Sequence, residues 1–234
     1  MNYFLRFFAL LVLFAAGTVF ADTPDRIQAS YDIFKAGLRI GQIEETYQRN
    51  NDKYTLVSIT RAVGIFAWFK SGKVVVRSNG LIDDDGLKPL SFSAVHEDKT
   101  NDGRYAELDW DNRKLFLVHQ SDRKEIELPD STQDRLSAMY QFMFLPLEPP
   151  KLGFSMINGG YLLKFIFDIS DGPSLYTPAG VFRTLYIDNK LQGAKERTEI
   201  WLARERYNLP CKMIITDDGG GKITQILSKL SVNP

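Results

Sequence analysis

The sequence predicts a mostly β fold: an antiparallel β-barrel-like meander with one amphipathic helix near residues 132–145. Short β-prone runs recur along the chain, and turn sequences separate them about every 8–12 residues. Most of these turns have hairpin length, which favours antiparallel pairing of neighbouring strands. No linker or internal repeat divides the 234 residues.

Residues 1–21 predict a cleaved signal peptide. Arg6 precedes an apolar run over residues 7–20, which has the length of a signal-peptide core, and Ala21 suits the cleavage position. The alternative is a transmembrane anchor, but the run is shorter than the ~20 apolar residues that a span needs. We therefore expect export to the periplasm, cleavage before Asp22, no transmembrane segment afterwards, and a single β-barrel-like domain over residues 22–234.

The composition limits the partners and the sources of stability. Basic and acidic residues balance at 29 each, which argues against nucleic acid as the main partner because phosphate binding requires a basic face. Cys211 is the single cysteine, so the chain forms no internal disulfide and depends on core packing. A small buried hydrophobe is the simplest role for this thiol.

Strands in the first half flank turns rich in Gly, Asn and Asp. Ala36-Gly37 separates two strands over residues 27–49. Asp83-Asp84-Asp85-Gly86 is a turn rather than a calcium loop, because the alternating ligand spacing and the closing Glu are absent. Asn101-Asp102-Gly103 predicts a further hairpin turn. The other strands of this half are expected at 54–60, 73–82, 90–96, 105–110, 114–119 and 124–128.

The predicted helix has a start, an apolar stripe and an end. Ser131 or Thr132 can cap its first turn, with Asp134 as the acidic partner of a capping box. Apolar residues then follow at helical spacing: Leu136, Met139, Tyr140 and Met143. Pro146 ends the helix. The stripe must be buried, either as permanent core or as a lid over a cavity.

Strands return after the prolines. They are expected at 161–169, 181–188, 198–203, 211–216 and 222–230. The glycine-rich run 217–221 superficially resembles a phosphate loop, but it lacks the spacing between glycines and the Ser or Thr after the lysine. We interpret it as a hairpin turn.

Several segments, taken together and in order, are distinctive: 31–41, 64–72, 132–137, 176–185, and 199–203 followed by Leu209-Pro210. In these segments the chain resembles the exported bacterial proteins of domain-of-unknown-function family 3108. The resemblance implies a periplasmic, antiparallel β-barrel-like domain and supplies no activity. The stretch 201–210 also resembles periplasmic lipoprotein carriers, whose half-open barrel holds acyl chains.

The sequence contains no catalytic signature. His96 and His119 are the two histidines, and neither has a second His or Cys at metal-ligand spacing. A Gly-x-Ser-x-Gly elbow is absent. We therefore expect no enzyme, no catalytic residues, no cofactor and no metal site. A hydrolase is a third hypothesis, which an acidic neighbour beside either histidine would favour.

The most informative apolar segment is 65–69, between Gly64 and Gly72. Exposing two Phe and a Trp is unfavourable, at ~25 cal/mol per Å² of apolar area. The segment therefore plugs one end of the barrel, or contacts a ligand, a membrane or a partner. If it binds a ligand, the expected contacts are Phe66, Trp68, Phe69, Met139 and Met143.

Two functions follow from these features. The first is a non-enzymatic periplasmic protein that binds an apolar ligand, such as a lipid, within the β-barrel, since a barrel of eight or more strands can enclose a small ligand. The alternative is a cell-envelope interaction or structural module with a filled core, which would contact an envelope protein through an exposed edge or apolar patch.

Overall fold

A computed structural model describes residues 23–65, 67, 72–147, 151–158, 160–190 and 196–233 of the chain. The described residues are mostly in β-strands. The strands are β1 (Arg26–Lys35), β2 (Leu38–Asn50), β3 (Lys53–Ala62), β4 (Lys73–Asp83), β5 (Gly86–His96), β6 (Lys99–Asp109), β7 (Lys114–His119), β8 (Asp122–Glu127), β9 (Gln133–Asp134), β10 (Lys151–Asn158), β11 (Tyr161–Asp171), β12 (Leu175–Thr177), β13 (Gly180–Phe182), β14 (Thr184–Lys190), β15 (Arg197–Ala203), β16 (Leu209–Thr216) and β17 (Lys222–Asn233). A short helix, α1 (Ser137–Gln141), lies between β9 and β10.

Fifteen of these strands form one sheet, in the order β8-β7-β6-β5-β4-β3-β2-β1-β17-β16-β15-β14-β11-β10-β9. Neighbours are antiparallel except β9 and β10, which are parallel. β1 pairs with β17 from Arg26↔Asn233 to Lys35↔Ile223, so the first and last strands join two meandering arms. The predicted mostly β, antiparallel meander is thus confirmed.

The sheet does not close into a barrel. Its order ends at β8 on one side and at β9 on the other, and within the described residues these two strands do not pair. The edge strand β8 has the sequence DRKEIE and is exposed along almost its whole length. Charged side chains on an edge strand discourage further pairing, which explains why the sheet can end there.

One face of the sheet curves around an inner segment, defined here as residues 132–144. β9 and α1 contact β5 in one arm, while α1 also contacts β16 and β9 pairs with β10 in the other. Alternation places apolar side chains on this face; in β1 the buried positions are Ile27, Ala29, Tyr31 and Ile33. The core therefore lies between the two arms and the inner segment.

The helix is shorter than predicted: it spans Ser137–Gln141 rather than 132–145. Gln133 and Asp134 instead pair with Met156 and Ile157 of β10. Ser131 has a positive φ of 57°, and Thr132 donates its hydroxyl to the Pro129 carbonyl, so neither acts as the predicted cap. A long-range strand contact has replaced the first helical turn.

Local turn signals were mostly correct. Ala36-Gly37, Asp84-Asp85 and the run 217–221 connect paired strands as predicted. Asn101-Asp102-Gly103 is a correction, because it lies within β6 and the chain turns at 97–98 instead. β12 and β13 form a separate hairpin. In the described part of the chain, no helix has the length and apolar character needed to cross a membrane.

Candidate functional site

The predicted ligand contacts fall into two groups. Phe66, Trp68 and Phe69 lie outside the described residues. Met139 and Met143 are half-buried and pack against the core; Met139 touches the clusters of both arms. The structure thus places the two methionines between the inner segment and the sheet, and their contact with a ligand stays a prediction.

The inner segment occupies the space between the two arms. Leu136, Ala138, Tyr140 and Phe142 are each at most 5% exposed. The Tyr140 ring stacks on Tyr47 of β2, with centroids 5.7 Å apart. Side chains from this segment therefore fill the interior that an apolar ligand would have entered.

A buried carboxylate fixes the inner segment against β4. Asp134 accepts a hydrogen bond from Ser78 Oγ at 2.5 Å and two more, from the backbone N–H groups of Leu136 and Ser137, at 2.8 and 2.9 Å. Tyr54 OH lies 3.0 Å from Ser78 Oγ and extends the network. Burial raises the pKa of Asp134, and these hydrogen bonds oppose that effect.

A second carboxylate joins the same segment to β2. Glu45 accepts hydrogen bonds from Tyr140 OH and Ser58 Oγ, each at 3.1 Å. Burial raises its pKa, while the two hydrogen bonds act in the opposite direction. Glu45 holds structure in place rather than facing a large cavity, since the space beside Glu45 and Met139 is only ≈ 20 Å³.

The candidate site is an open cleft beside Arg135, where β4 begins and β5 ends, and is here called the basic cleft. It has two contiguous parts of ≈ 440 and ≈ 150 Å³, which share Arg104. Its polar lining comprises His96, Asp102, Arg104, His119, Asp122, Lys124 and Arg135. Its apolar lining comprises Val74, Phe92, Ala94, Leu117, Val118 and Tyr161.

Strand alternation explains how polar groups reach this place. Ala106 and Leu108 of β6 face the core, and Arg104, two residues before Ala106, lies on the same face of the strand. Leu115 and Leu117 of β7 lead in the same way to His119. Arg104 pairs directly with His119 and, on its other side, with Ala94. The inner face is therefore apolar in the middle and polar where the strands end.

Three cations converge on this cleft. The Arg135 guanidinium lies 5.9 Å from the centroid of Phe92, and Lys124 Nζ lies 5.8 Å from that of Tyr161. Burial is the main cause that lowers the pKa of Arg135; Asp134 opposes it and the like charge of Arg104 adds to it. Within the described part of the chain, neither Arg104 nor Arg135 pairs with a carboxylate.

The acidic groups of the cleft have their own partners. Asp102 Oδ1 lies 2.9 Å from Nε2 of His119, and this hydrogen bond is the main cause that lowers the pKa of Asp102. Asp122 Oδ2 lies 3.8 Å from Lys124 Nζ. One histidine thus has the acidic neighbour that favours the hydrolase hypothesis. The described lining contains no Ser, Thr or Cys beside this pair.

Sequence reasoning missed this cleft. Its residues come from β4 to β8, from the inner segment and from the start of β11, and no local motif connects them. One signal could have found them. In an alternating strand, a charged residue occupies the core-facing position two residues away from a pair of apolar ones, as Arg104 and His119 do. Metal binding is not indicated either, since no group of His, Cys, Asp or Glu suited to it occurs among the described residues.

Comparisons with known proteins identify a family and little else. A family model described as a protein of unknown function, DUF3108, matches residues 27–228, which confirms the resemblance seen in the sequence. No curated protein matches the chain. One similar solved structure is a crystal structure of a protein from Parabacteroides distasonis ATCC 8503 described provisionally as a lipoprotein; it has 11% identity and a TM-score of 0.35, and the match covers 89% of this chain and 96% of that one.

Proposed function

This chain belongs to the DUF3108 family of proteins of unknown function, and we propose that it is a non-enzymatic envelope protein that binds an anionic amphiphile in its basic cleft. The amphiphile is a lipid-like molecule with an acidic head group and an apolar chain. The observation that carries the proposal is the pair of arginines, Arg104 and Arg135, which face one cleft without a described carboxylate partner.

Arginine suits such a head group. Its planar guanidinium can donate two parallel hydrogen bonds to a carboxylate or phosphate. The like charge of Arg104 is one of the causes that lower the pKa of Arg135, so an anion placed between the two guanidinium groups would offset their repulsion. Lys124 stands at the mouth of the cleft and adds a third positive charge.

The apolar side of the cleft suits the chain of the ligand. Phe92 and Leu117 form its floor, and the exposed ring of Tyr161 borders its opening. Tyr161 lies at the turn between β10 and β11, so the wall of the cleft comes from both arms of the sheet. The ligand would lie against the surface of the filled core, and not inside a barrel.

Isothermal titration calorimetry with monomeric decanoate tests the proposal. The wild-type protein should bind one decanoate, and Arg104→Gln and Arg135→Gln should each weaken binding about tenfold, because each removes a charge-assisted hydrogen bond. Decanol has the same chain without the charge. Its affinity for the wild-type protein should be no higher than the affinity of decanoate for these variants.

Arg77→Gln is the matched control. Arg77 is exposed and lies on the outer face of β4, so its substitution removes the same charge without touching the cleft. It should leave decanoate binding unchanged. Absence of decanoate binding, or equal weakening by Arg77→Gln and Arg104→Gln, would contradict the proposal.

A second candidate function is favoured by the β12–β13 hairpin. Tyr176 and Val181 face each other across it and are 85% and 59% exposed. Apolar residues presented together in this way suit contact with another envelope protein. Photocrosslinking from position 176 in intact envelopes tests this alternative: capture of one discrete partner supports it, and no captured partner counts against it.

A further inference from the structure

A second open cleft lies at the opposite end of β4 and β5 and is here called the acidic cleft. Its volume is ≈ 450 Å³. β4 ends there and β5 begins there, so the turn Asp83–Gly86 forms one of its walls. The strands that carry the basic cleft at one end thus carry this cleft at the other.

Its charge is the reverse of that of the basic cleft. Four carboxylates line it, from Asp83, Asp84, Asp85 and Asp130, against one lysine, Lys88. Asp83 Oδ1 accepts a hydrogen bond from the backbone N–H of Asp85, and Asp130 lies 3.3 Å from Arg113. The carboxylates of Asp84 and Asp85 form no ion pair within the described part of the chain.

A buried amide provides an independent observation. Gln133 lines the acidic cleft and is only 3% exposed. Its Nε2 donates to the Leu87 carbonyl at 2.7 Å, but its Oε1 has no hydrogen-bond partner among the described residues. Buried acceptors are almost always satisfied. Because this oxygen is itself buried, a ligand with an N–H donor would reach it once the Gln133 amide turns toward the cleft.

Much of the remaining lining is apolar. Phe144, Leu145 and Leu152 form one side, and Trp110 forms another. The Trp110 indole donates to the Pro89 carbonyl at 2.7 Å, which fixes the ring, and Lys88 Nζ lies 5.4 Å from its centroid. An aromatic ring in this cleft therefore already accepts a cation against its face.

We propose that the acidic cleft binds an ammonium or guanidinium group carried on an apolar stem. The charged nitrogen would face Asp84 and Asp85 and donate to Gln133 Oε1, while the stem would lie against Phe144 and Leu152. A free organic amine and the side chain of a basic peptide share this chemistry. The inference is independent of the basic cleft, because the charge, the residues and the end of the sheet all differ.

Calorimetric titration at low salt tests the inference with two probes: n-hexylammonium chloride and the capped peptide acetyl-Leu-Arg-amide. At least one probe should bind with one-to-one stoichiometry. Asp84→Asn/Asp85→Asn should weaken that binding about tenfold, because two carboxylates that face the cation are lost, and raised salt should weaken it in the wild type. Hexanol and hexanoate should not compete.

The control variant Asp218→Asn/Glu196→Gln removes the same charge from exposed residues elsewhere in the chain and should bind like the wild type. The better-binding probe tells whether the site prefers a small amine or a basic peptide side chain. Binding of neither probe, or equal binding by the two double variants, would overturn the inference. Arg104→Gln should leave cation binding unchanged, so the two clefts can fail separately.

Discussion

At the scale of single residues, Asp134 makes the most consequential contacts in the molecule. One oxygen accepts from Ser78 of β4, and the other accepts from two backbone N–H groups at the start of α1. Its pKa is raised because burial disfavours the charge, even though three donors surround it. The residue therefore holds the inner segment in place while reducing stability at high pH.

The first prediction follows from that sign. An unfolded Asp has a pKa of about 3.9, and the folded value is higher. The folded protein thus binds this proton more readily, so the free energy of unfolding decreases as the pH rises from the unfolded value through the folded one. Asp134→Asn should remove this part of the pH dependence in urea unfolding measured from about pH 4 upward.

Asp134→Ala separates the hydrogen bonds from the charge. An Asn side chain can still accept from both backbone N–H groups and donate to Ser78 Oγ. Ala leaves the two N–H groups without this acceptor and leaves Ser78 Oγ with Tyr54 OH alone. We expect the Ala variant to be less stable than the Asn variant by about 2 kcal/mol or more. Equal loss in the two variants would mean that the contacts of Asp134 contribute little.

Sequence reasoning reached Asp134 but not its environment. The residue was predicted to act at a helix start, and it does accept hydrogen bonds there. Its burial could not be predicted, because Ser78 is 56 positions earlier in the chain. The same limit applies to Arg104 and Arg135, which only the fold brings to one cleft.

At the scale of elements, a close contact between α1 and the β4–β5 turn holds the helix against the sheet. Gln141 accepts from the Leu87 N–H at 2.6 Å and donates to the Asp85 carbonyl at 2.7 Å. Gly86, between them, has a φ of +101°. A Cβ at Gly86 would lie 2.7 Å from the Gln141 amide and from Phe144 Cβ, so only glycine allows the helix to approach.

Gly86→Ala should therefore destabilise the protein for two reasons. The positive φ costs about 1–2 kcal/mol for a residue with a Cβ, and overpacking against Gln141 and Phe144 adds about 1–3 kcal/mol. Gly37→Ala is the control, because Gly37 also has a positive φ, of +78°, but nothing lies within 4 Å of the added carbon. Urea unfolding should show the larger loss at Gly86; equal losses would argue against a tight contact.

Elements were predictable where their signals are local. The turns at Ala36-Gly37 and Asp83–Gly86 require residues that tolerate particular backbone angles, and those residues stand in the sequence. β9 had no such signal: Gln133 and Asp134 form a strand only because Met156 and Ile157 lie beside them. The helix was overpredicted for the same reason, since its apolar spacing continues into residues that tertiary contacts hold in other conformations.

At the scale of the whole molecule, the pairing of β1 with β17 joins the two arms into one sheet. Hairpin-length turns predicted the meander within each arm. They could not predict that the sheet stays open or that the inner segment fills its interior. Three core clusters follow the sheet, and Met139 packs against the clusters of both arms. Because one continuous sheet and one residue, Met139, connect the arms, we expect the two arms to unfold together.

Cys211 offers a direct measurement of that cooperativity. It lies in β16, its side chain is fully buried, and its Sγ contacts the Trp201 carbonyl at 3.3 Å. Burial raises the pKa of its thiol to about 11, so the native protein should react very slowly with a thiol reagent at neutral pH. Reaction should begin only when β16 separates from β15 and β17.

If residues 22–234 form a single domain, thiol labelling and loss of far-ultraviolet circular dichroism should share one midpoint in urea. Trp110 fluorescence, measured in a variant that keeps only this tryptophan, reports the other arm and should share it too. If Cys211 is labelled at a lower urea concentration than that at which Trp110 fluorescence changes, the arm from β14 to β17 opens first. The chain would then contain two folding units.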